Sequence, residues 1–306
     1  MTAGAAADRP SALRIWLLAI RPATLPAAVS GVVVGLGAAR ATGASFRADT
    51  ALGCLAVALL LQIAANLAND LSDFRRGVDT PARMGPVRVA AAGLVTERQL
   101  EVAIGLTIGL AIIVGLWLAS VGGPILLAVG AVAIVATVAY SGGPLRYGYR
   151  GLGELFVFVF FGLVSVAGTA YLQTGRIHPL FIAAAVPVGA LITAILVVNN
   201  LRDIPGDAAA GKRTLAVVLG ARGTALEYAG LLAVAFIVPI VLAAMGVGLP
   251  VLLPLLAAPL AVPLWRTVRT FTEPRELNAV LKATARLSLI FGVLFALGLA
   301  IAGAMR

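Results

Sequence analysis

Long apolar runs separated by short polar ones set the rhythm of this chain. Nine stretches read as membrane helices: roughly residues 12–39, 50–72, 97–119, 123–140, 153–173, 179–202, 224–245, 249–267 and 284–304. A helix crosses the hydrocarbon layer in about 20 residues. The fourth run is short and Gly-rich. The eighth contains Pro250, Pro254, Pro259 and Pro263, which predicts a kinked helix whose freed backbone groups are satisfied by neighbouring helices. The fold class that follows is all-α, a polytopic bundle of about nine transmembrane helices forming one domain over residues 1–306. Residues 1–11 are Ala-rich and read as a disordered leader. The first apolar run is too long for a cleavable signal peptide and carries Arg14 and Arg21.

Composition strengthens this reading through what is missing. Of 306 residues, 61% are hydrophobic and only 12% charged, with mean hydropathy +1.04. An ordinary soluble domain is about one quarter charged. The remaining charge is distributed unevenly. With nine crossings, all but Arg40, Arg47, Arg176 and Arg306 of the 23 Lys and Arg fall on the side of the N-terminus. Positive loops stay cytoplasmic, so the N-terminus is expected inside a cell membrane. The net charge of +10 is then topogenic charge beside anionic lipid headgroups. No basic patch is interleaved with aromatics, so nucleic acid is not an expected partner. Cys54 is the only cysteine and reads as a packing residue. His178 is the only histidine, which excludes a His-based metal site.

Two polar signatures interrupt the apolar pattern. Asn66-Leu67-Ala68-Asn69-Asp70-Leu71-Ser72-Asp73 closes the second run, and Asn199-Asn200-Leu201-Arg202-Asp203-Ile204-Pro205-Gly206-Asp207 closes the sixth. Carboxylates at a membrane surface cost free energy unless balanced, so they mark candidate sites. Residues four apart share a helix face. Asn66 and Asp70, Asn69 and Asp73, and Asn199 and Asp203 are so spaced. Asp203 and Asp207 have the same spacing, although Pro205 is expected to disrupt the helix between them. Asn and Asp are oxygen ligands suited to Mg²⁺, which is often held by one or two carboxylates plus substrate phosphates. Nearby Arg75, Arg76, Arg83, Arg88, Arg146, Arg202, Lys212 and Arg213 add positive charge. Metal and basic groups together bind a diphosphate and stabilise it as a leaving group. Glu154 and Glu227 read as helix-end charges, the first near Arg146.

These motifs resemble the UbiA superfamily of intramembrane aromatic prenyltransferases. Asn69-Asp70-x-x-Asp73 matches the start of that family's first motif, and Asp203-x-x-x-Asp207 matches its second. The family's last acid of the first motif would fall at Gly77; here an acid comes at Asp79. That variant, with Arg83-Met84-Gly85-Pro86-Val87-Arg88 behind it, is similar to the branch that prenylates 1,4-dihydroxy-2-naphthoate. So are Arg21-Pro22-Ala23-Thr24-Leu25-Pro26, Tyr140-Ser141-Gly142-Gly143-Pro144-Leu145-Arg146 and Gly211-Lys212-Arg213-Thr214-Leu215.

The resemblance implies Mg²⁺ held by Asn69, Asp73, Asp203 and Asp207 and bridged to a polyprenyl diphosphate. It implies catalytic roles for Asp70, Asp73, Asp203 and Asp207, with Asn66, Asp79 and Asn199 supporting. Arg21, Arg83, Tyr140, Ser141, Arg146, Lys212 and Arg213 would surround the diphosphate or the aromatic acceptor. The expected product is a demethylmenaquinone, formed with loss of CO2 and diphosphate on the cytoplasmic side. Hydroxybenzoate, homogentisate or porphyrin remain alternative acceptors, and a secondary transporter is the reading from another class.

Overall fold

The computed structural model describes residues 10–77 and 84–305, and all regular structure among them is helical. In chain order the α-helices are α1 (Ala12–Ile20), α2 (Leu25–Ala41), α3 (Ala48–Arg75), α4 (Glu97–Gly122), α5 (Ile125–Ala139), α6 (Gly153–Val157), α7 (Ser165–Thr174), α8 (Pro179–Ala209), α9 (Leu215–Ala244), α10 (Ala258–Thr270) and α11 (Leu277–Ala304). Eight helical stretches are long and apolar enough to cross a membrane, and α5, at 15 residues, is a shorter ninth. Its length agrees with the short Gly-rich run seen in the sequence.

The breaks fall where proline and packing together allow them. The first run is not continuous: Arg21 is left-handed (φ 53°, ψ 72°), and Pro22–Thr24 forms a 3-10 turn before α2. A residue preceding proline is pushed out of the helical region, which places the break at Arg21-Pro22. The proline-rich eighth run is kinked as expected, with a 3-10 segment (Leu249–Ala257) leading into α10. The disruption expected at Pro205 is absent, for α8 continues through Asp207 to Ala209. Tertiary context overrides local propensity here. The most apolar window of α8 is 78% buried, more than that of any other span described. Between α6 and α7, Phe158–Val164 is a wide π-helical segment. Ser11 caps α1 by accepting from the Arg14 amide (3.4 Å), so ordered chain begins inside the expected leader; residues 1–9 of that leader lie outside the described residues.

The central α8 packs against α2, α9, α11 and the π segment. Small residues let these axes come close. A Cβ on Gly37 of α2 would sit 2.5 Å from the Ala296 Cα and 2.6 Å from its carbonyl oxygen on α11. Close approach through small residues is how membrane helices gain packing energy without a hydrophobic drive between them. By contrast, α4 and α5 are peripheral. Only 17% of the most apolar window of α4 is buried, and only Ala136 of α5 is.

One acid departs from its expected place. Glu154 lies in the first turn of α6, a helix end as expected, and its buried carboxylate accepts from Asn200 Nδ2 on α8 (2.8 Å). Glu227 lies seven residues beyond a break in α9 at Gly220 (φ 67°, ψ 174°), inside the helical stretch that follows rather than at its end.

Candidate active site

Three segments meet at one end of the bundle: the last turns of α3, the loop from Tyr140 to Gly151, and the end of α8 with the Gly211–Thr214 loop. Asn66 helps shape this end. Its Nδ2 donates to the Ile20 carbonyl (2.9 Å) and to Thr24 Oγ1 (3.0 Å), so it satisfies a carbonyl freed by the break at Arg21-Pro22. An Asn66→Ala variant should lose about 1–3 kcal/mol of stability, the cost of leaving that buried acceptor unmet, and a thermal melt would check this.

Asp70 turns towards the 88–90 loop. Its carboxylate accepts from the Val89 (3.1 Å) and Ala90 (3.4 Å) amides. Val89, Ala90 and Val95 bury against Ile15, Ala19, Leu67, Leu71 and Leu100, so the loop is fixed by packing as well. Asp70 thereby anchors the loop that carries Arg88.

Arg88 reaches Asp73, which is 1% exposed. Asp73 accepts from Arg88 Nη2 (2.7 Å), Lys212 Nζ (3.1 Å) and the Tyr149 hydroxyl. Lys212 also lies 3.4 Å from Asp207 Oδ1. One ammonium therefore sits between carboxylates from two distant parts of the chain. Burial works against the charge on Lys212, yet Asp73 and Asp207 together hold its pKa above the ordinary value. Burial and the Asp73 charge push the Tyr149 hydroxyl up to about 12, so it stays a donor. The Tyr149 ring carries Lys212 Nζ at 4.4 Å and the Arg76 guanidinium at 5.2 Å from its centroid.

Asp203 follows a different arrangement. Arg202, 1% exposed, grips it through Nε (2.8 Å) and Nη2 (2.6 Å). The same guanidinium donates to Asn199 Oδ1 and Asn278 Oδ1, both at 2.8 Å. The structure thus joins Asp73 to Asp207, and Asp203 stands one turn back on α8.

An apolar cavity of about 570 Å³ lies behind this cluster. Arg21, Asn66, Asn69, Tyr140 and Asn199 line its polar part. Its walls include Leu116 of α4, Ile134 of α5, and Phe156, Phe160 and Phe161 from α6 and the π segment. Tyr140 meets Tyr147 edge-on (5.5 Å), and Tyr147 stacks on Phe156 (4.0 Å), an aromatic wall at the polar end. Ser141 is buried; its carbonyl accepts from the Ser72 hydroxyl (2.6 Å). Arg146 and Arg213, expected around the diphosphate or the acceptor, line a second pocket. Asp79 and Arg83 lie outside the described residues.

The donor set fits a hard divalent cation. Asn69, Asp73, Asp203 and Asp207 offer only oxygen, and the gap between Asp73 and Asp207 already favours positive charge. Among the described residues no three acids or other ligating side chains gather to cage an ion. A cation here would need oxygens from a substrate, which is how Mg²⁺ is commonly bound beside phosphates.

Comparison with known proteins gives this geometry its context. The model of the UbiA prenyltransferase family matches residues 28–290. This chain belongs to the UbiA prenyltransferase family. Among UbiA relatives, the 1,4-dihydroxy-2-naphthoate octaprenyltransferase of Mycobacterium tuberculosis is 45% identical, covering 95% of this chain and 96% of its own. The enzyme of the same name from Escherichia coli is 38% identical, covering 94% and 96%. A solved UbiA homologue from Archaeoglobus fulgidus, bound to GPP and Mg²⁺, shares the fold with TM-score 0.65 and 16% identity, covering 94% and 99%.

Sequence reading missed several residues of the site. Tyr149 sits three residues beyond the Tyr140–Arg146 motif, outside it. Arg88 was visible as the end of the Arg83–Arg88 stretch and as one basic neighbour among many, with no partner assigned. Asn278 belongs to α11, in the C-terminal part where no motif stands out.

Proposed function

We propose that this chain transfers a polyprenyl group from an allylic polyprenyl diphosphate to 1,4-dihydroxy-2-naphthoate, releasing CO2 and diphosphate and giving a demethylmenaquinol, the reduced form of a demethylmenaquinone. The observation that carries the reading is the facing of Asp73 and Asp207 across Lys212 at the polar end of an apolar, aromatic-walled cavity. The naphthoate acceptor is supported by the names of relatives sharing 37–45% identity over most of the chain.

In this reading Asn69, Asp73, Asp203 and Asp207 would hold Mg²⁺, with Asp70 and Arg202 as positioning residues. The bound ion would neutralise diphosphate charge and so make it a better leaving group. Lys212 and Arg88 supply further positive charge, and Tyr149 donates its proton to the carboxylate that orients them. Heterolysis of the allylic C–O bond leaves the electron pair on diphosphate. The ring carbon bearing the carboxylate attacks the allylic carbon. CO2 then departs, and its bonding pair restores the aromatic ring. The apolar cavity excludes water from the allylic cation. Tyr140 and Tyr147 offer the acceptor an aromatic face, and the isoprenoid tail follows the walls of α4 and α5 towards lipid. The excess of Lys and Arg on this side supports a cytoplasmic position at the cell membrane for this end of the bundle.

The test is transfer by purified protein in lipid nanodiscs with Mg²⁺, a prenyl diphosphate and a panel of dihydroxynaphthoate, hydroxybenzoate and homogentisate. Mass spectrometry should find a prenylated, decarboxylated naphthoquinol. Product from hydroxybenzoate alone would overturn the acceptor assignment, and no product from any acceptor would overturn the transferase.

A further inference from the structure

A second pocket, of about 670 Å³, opens next to the carboxylate cluster. Four arginines line it: Arg76 from just beyond α3, Arg146 and Arg150 from the loop after α5, and Arg213 from the loop after α8. None of them forms an ion pair with a carboxylate among the described residues. Charge on a membrane-facing loop is common, but this set converges. Arg213 donates its amide to the Tyr149 carbonyl, and Tyr149 donates its amide to the Arg146 carbonyl, both at 2.9 Å, so Tyr149 stitches the two loops together. Arg146 is held left-handed (φ 37°, ψ 52°), a region non-glycine residues rarely occupy unless their surroundings impose it.

The position of this pocket relative to the cavity is read from three separate elements. On α3, Asn69 lines the apolar cavity, Asp73 lies four residues on, and Arg76 lines the second pocket. Along α8 and its loop the same order is Asn199, Asp207, Arg213. In the third segment it is Tyr140, then Tyr149, whose hydroxyl holds Asp73 and whose ring lines the second pocket. The Asp73–Lys212–Tyr149 cluster is therefore a partition, with an apolar chamber on one side and an arginine-lined one on the other.

We propose that the arginine pocket receives the inorganic diphosphate after the allylic C–O bond has broken. The proposal rests on the transferase reading above. The two products have opposite solubilities: the prenylated ring belongs in the bilayer, whereas diphosphate, a polyanion carrying the electron pair of the broken bond, has to reach water. Guanidinium groups suit phosphate oxygens through paired N–H donors. The aromatic acceptor fits this pocket poorly, for among the described residues Ala210 and Val218 are its only aliphatic lining, whereas Tyr140, Tyr147 and Phe156 face the other chamber. A phospholipid headgroup carries the same phosphate chemistry and is separated by experiment.

The experiment is product inhibition by inorganic diphosphate with Mg²⁺ in phosphatidylcholine nanodiscs, comparing the wild type with Arg76→Gln/Arg150→Gln. Wild-type inhibition should contain a component that saturating prenyl diphosphate does not relieve. The double variant should lose it, its constant rising at least tenfold, while the competitive component and the KM for prenyl diphosphate stay within about twofold. Arg150→Gln alone repeats the test should the double variant not fold. Purely competitive inhibition in the wild type would overturn the proposal. So would an unchanged pattern with a raised KM for the acceptor, which would make the pocket an acceptor-carboxylate site. Loss of the wild-type component when phosphatidylglycerol replaces part of the phosphatidylcholine would identify a headgroup site instead. Direct titration of inorganic diphosphate keeps the two readings apart: arginine-dependent binding in a protein without turnover refutes the transferase and not the pocket.

Discussion

Asp73→Asn should lower prenyl transfer by about a thousandfold, the scale expected when a group that organises transition-state charge is lost. The carboxylate meets Arg88, Lys212 and Tyr149 at once, and its side chain is 2% exposed. An amide keeps the shape but removes the charge that holds two buried cations. Uncompensated buried charge costs about 3–5 kcal/mol, so the same variant should also melt earlier. Alanine would add a cavity to that loss, which makes asparagine the cleaner probe. Asp207→Asn should show a similar loss of turnover with a smaller drop in stability, because it shares only Lys212. Initial rates and melting curves on the same nanodisc samples separate the two effects. Rates within threefold of wild type in a folded Asp73→Asn protein would remove Asp73 from the chemistry.

Gly37→Val should have the largest effect on the fold. Even a methyl group there would overlap the Ala296 backbone at 2.5 Å, and backbone cannot rotate away as a side chain can. Overpacking costs typically about 1–3 kcal/mol, and separating two whole helices places this change at or above the upper end. The check is the monodisperse yield and melting temperature of the purified variant. Gly109→Val provides the contrast on α4, where nothing lies within 4 Å of an added Cβ. It should stay within about 0.5 kcal/mol of wild type. Equal behaviour of the two variants would show that the α2–α11 contact is not as close as described.

The polar cluster was legible in the sequence where charge contrasts with an apolar background. Asp73 and Asp207 stand out because carboxylates in such runs need a reason, and helical spacing puts Asn69 on the face of Asp73. The count of spans was legible for the same reason. What spacing alone does not encode is pairing across the bundle. Asp203 and Asp207 look equivalent along α8, yet the adjacent Arg202 takes one and Lys212 takes the other. The role of Asp70 depends on a loop twenty residues away folding back onto it. Pro205 was misleading because the rule about one missing donor is local, whereas the rest of α8 is packed against its neighbours and carries the helix through a position that is itself exposed. Arg21-Pro22 shows the converse, a break that the rule for residues before proline would have predicted had hydropathy not masked it.

The sparse burial of α4 and α5 has a consequence for what this protein can measure. Two helices that face mostly outward form a thin partition between the chamber and its surroundings, and the chamber is not sealed. Selection of isoprenoid length then passes from the polypeptide to the bilayer and to whichever donor the cell makes, and the choice of detergent or lipid becomes an experimental variable as consequential as any substitution.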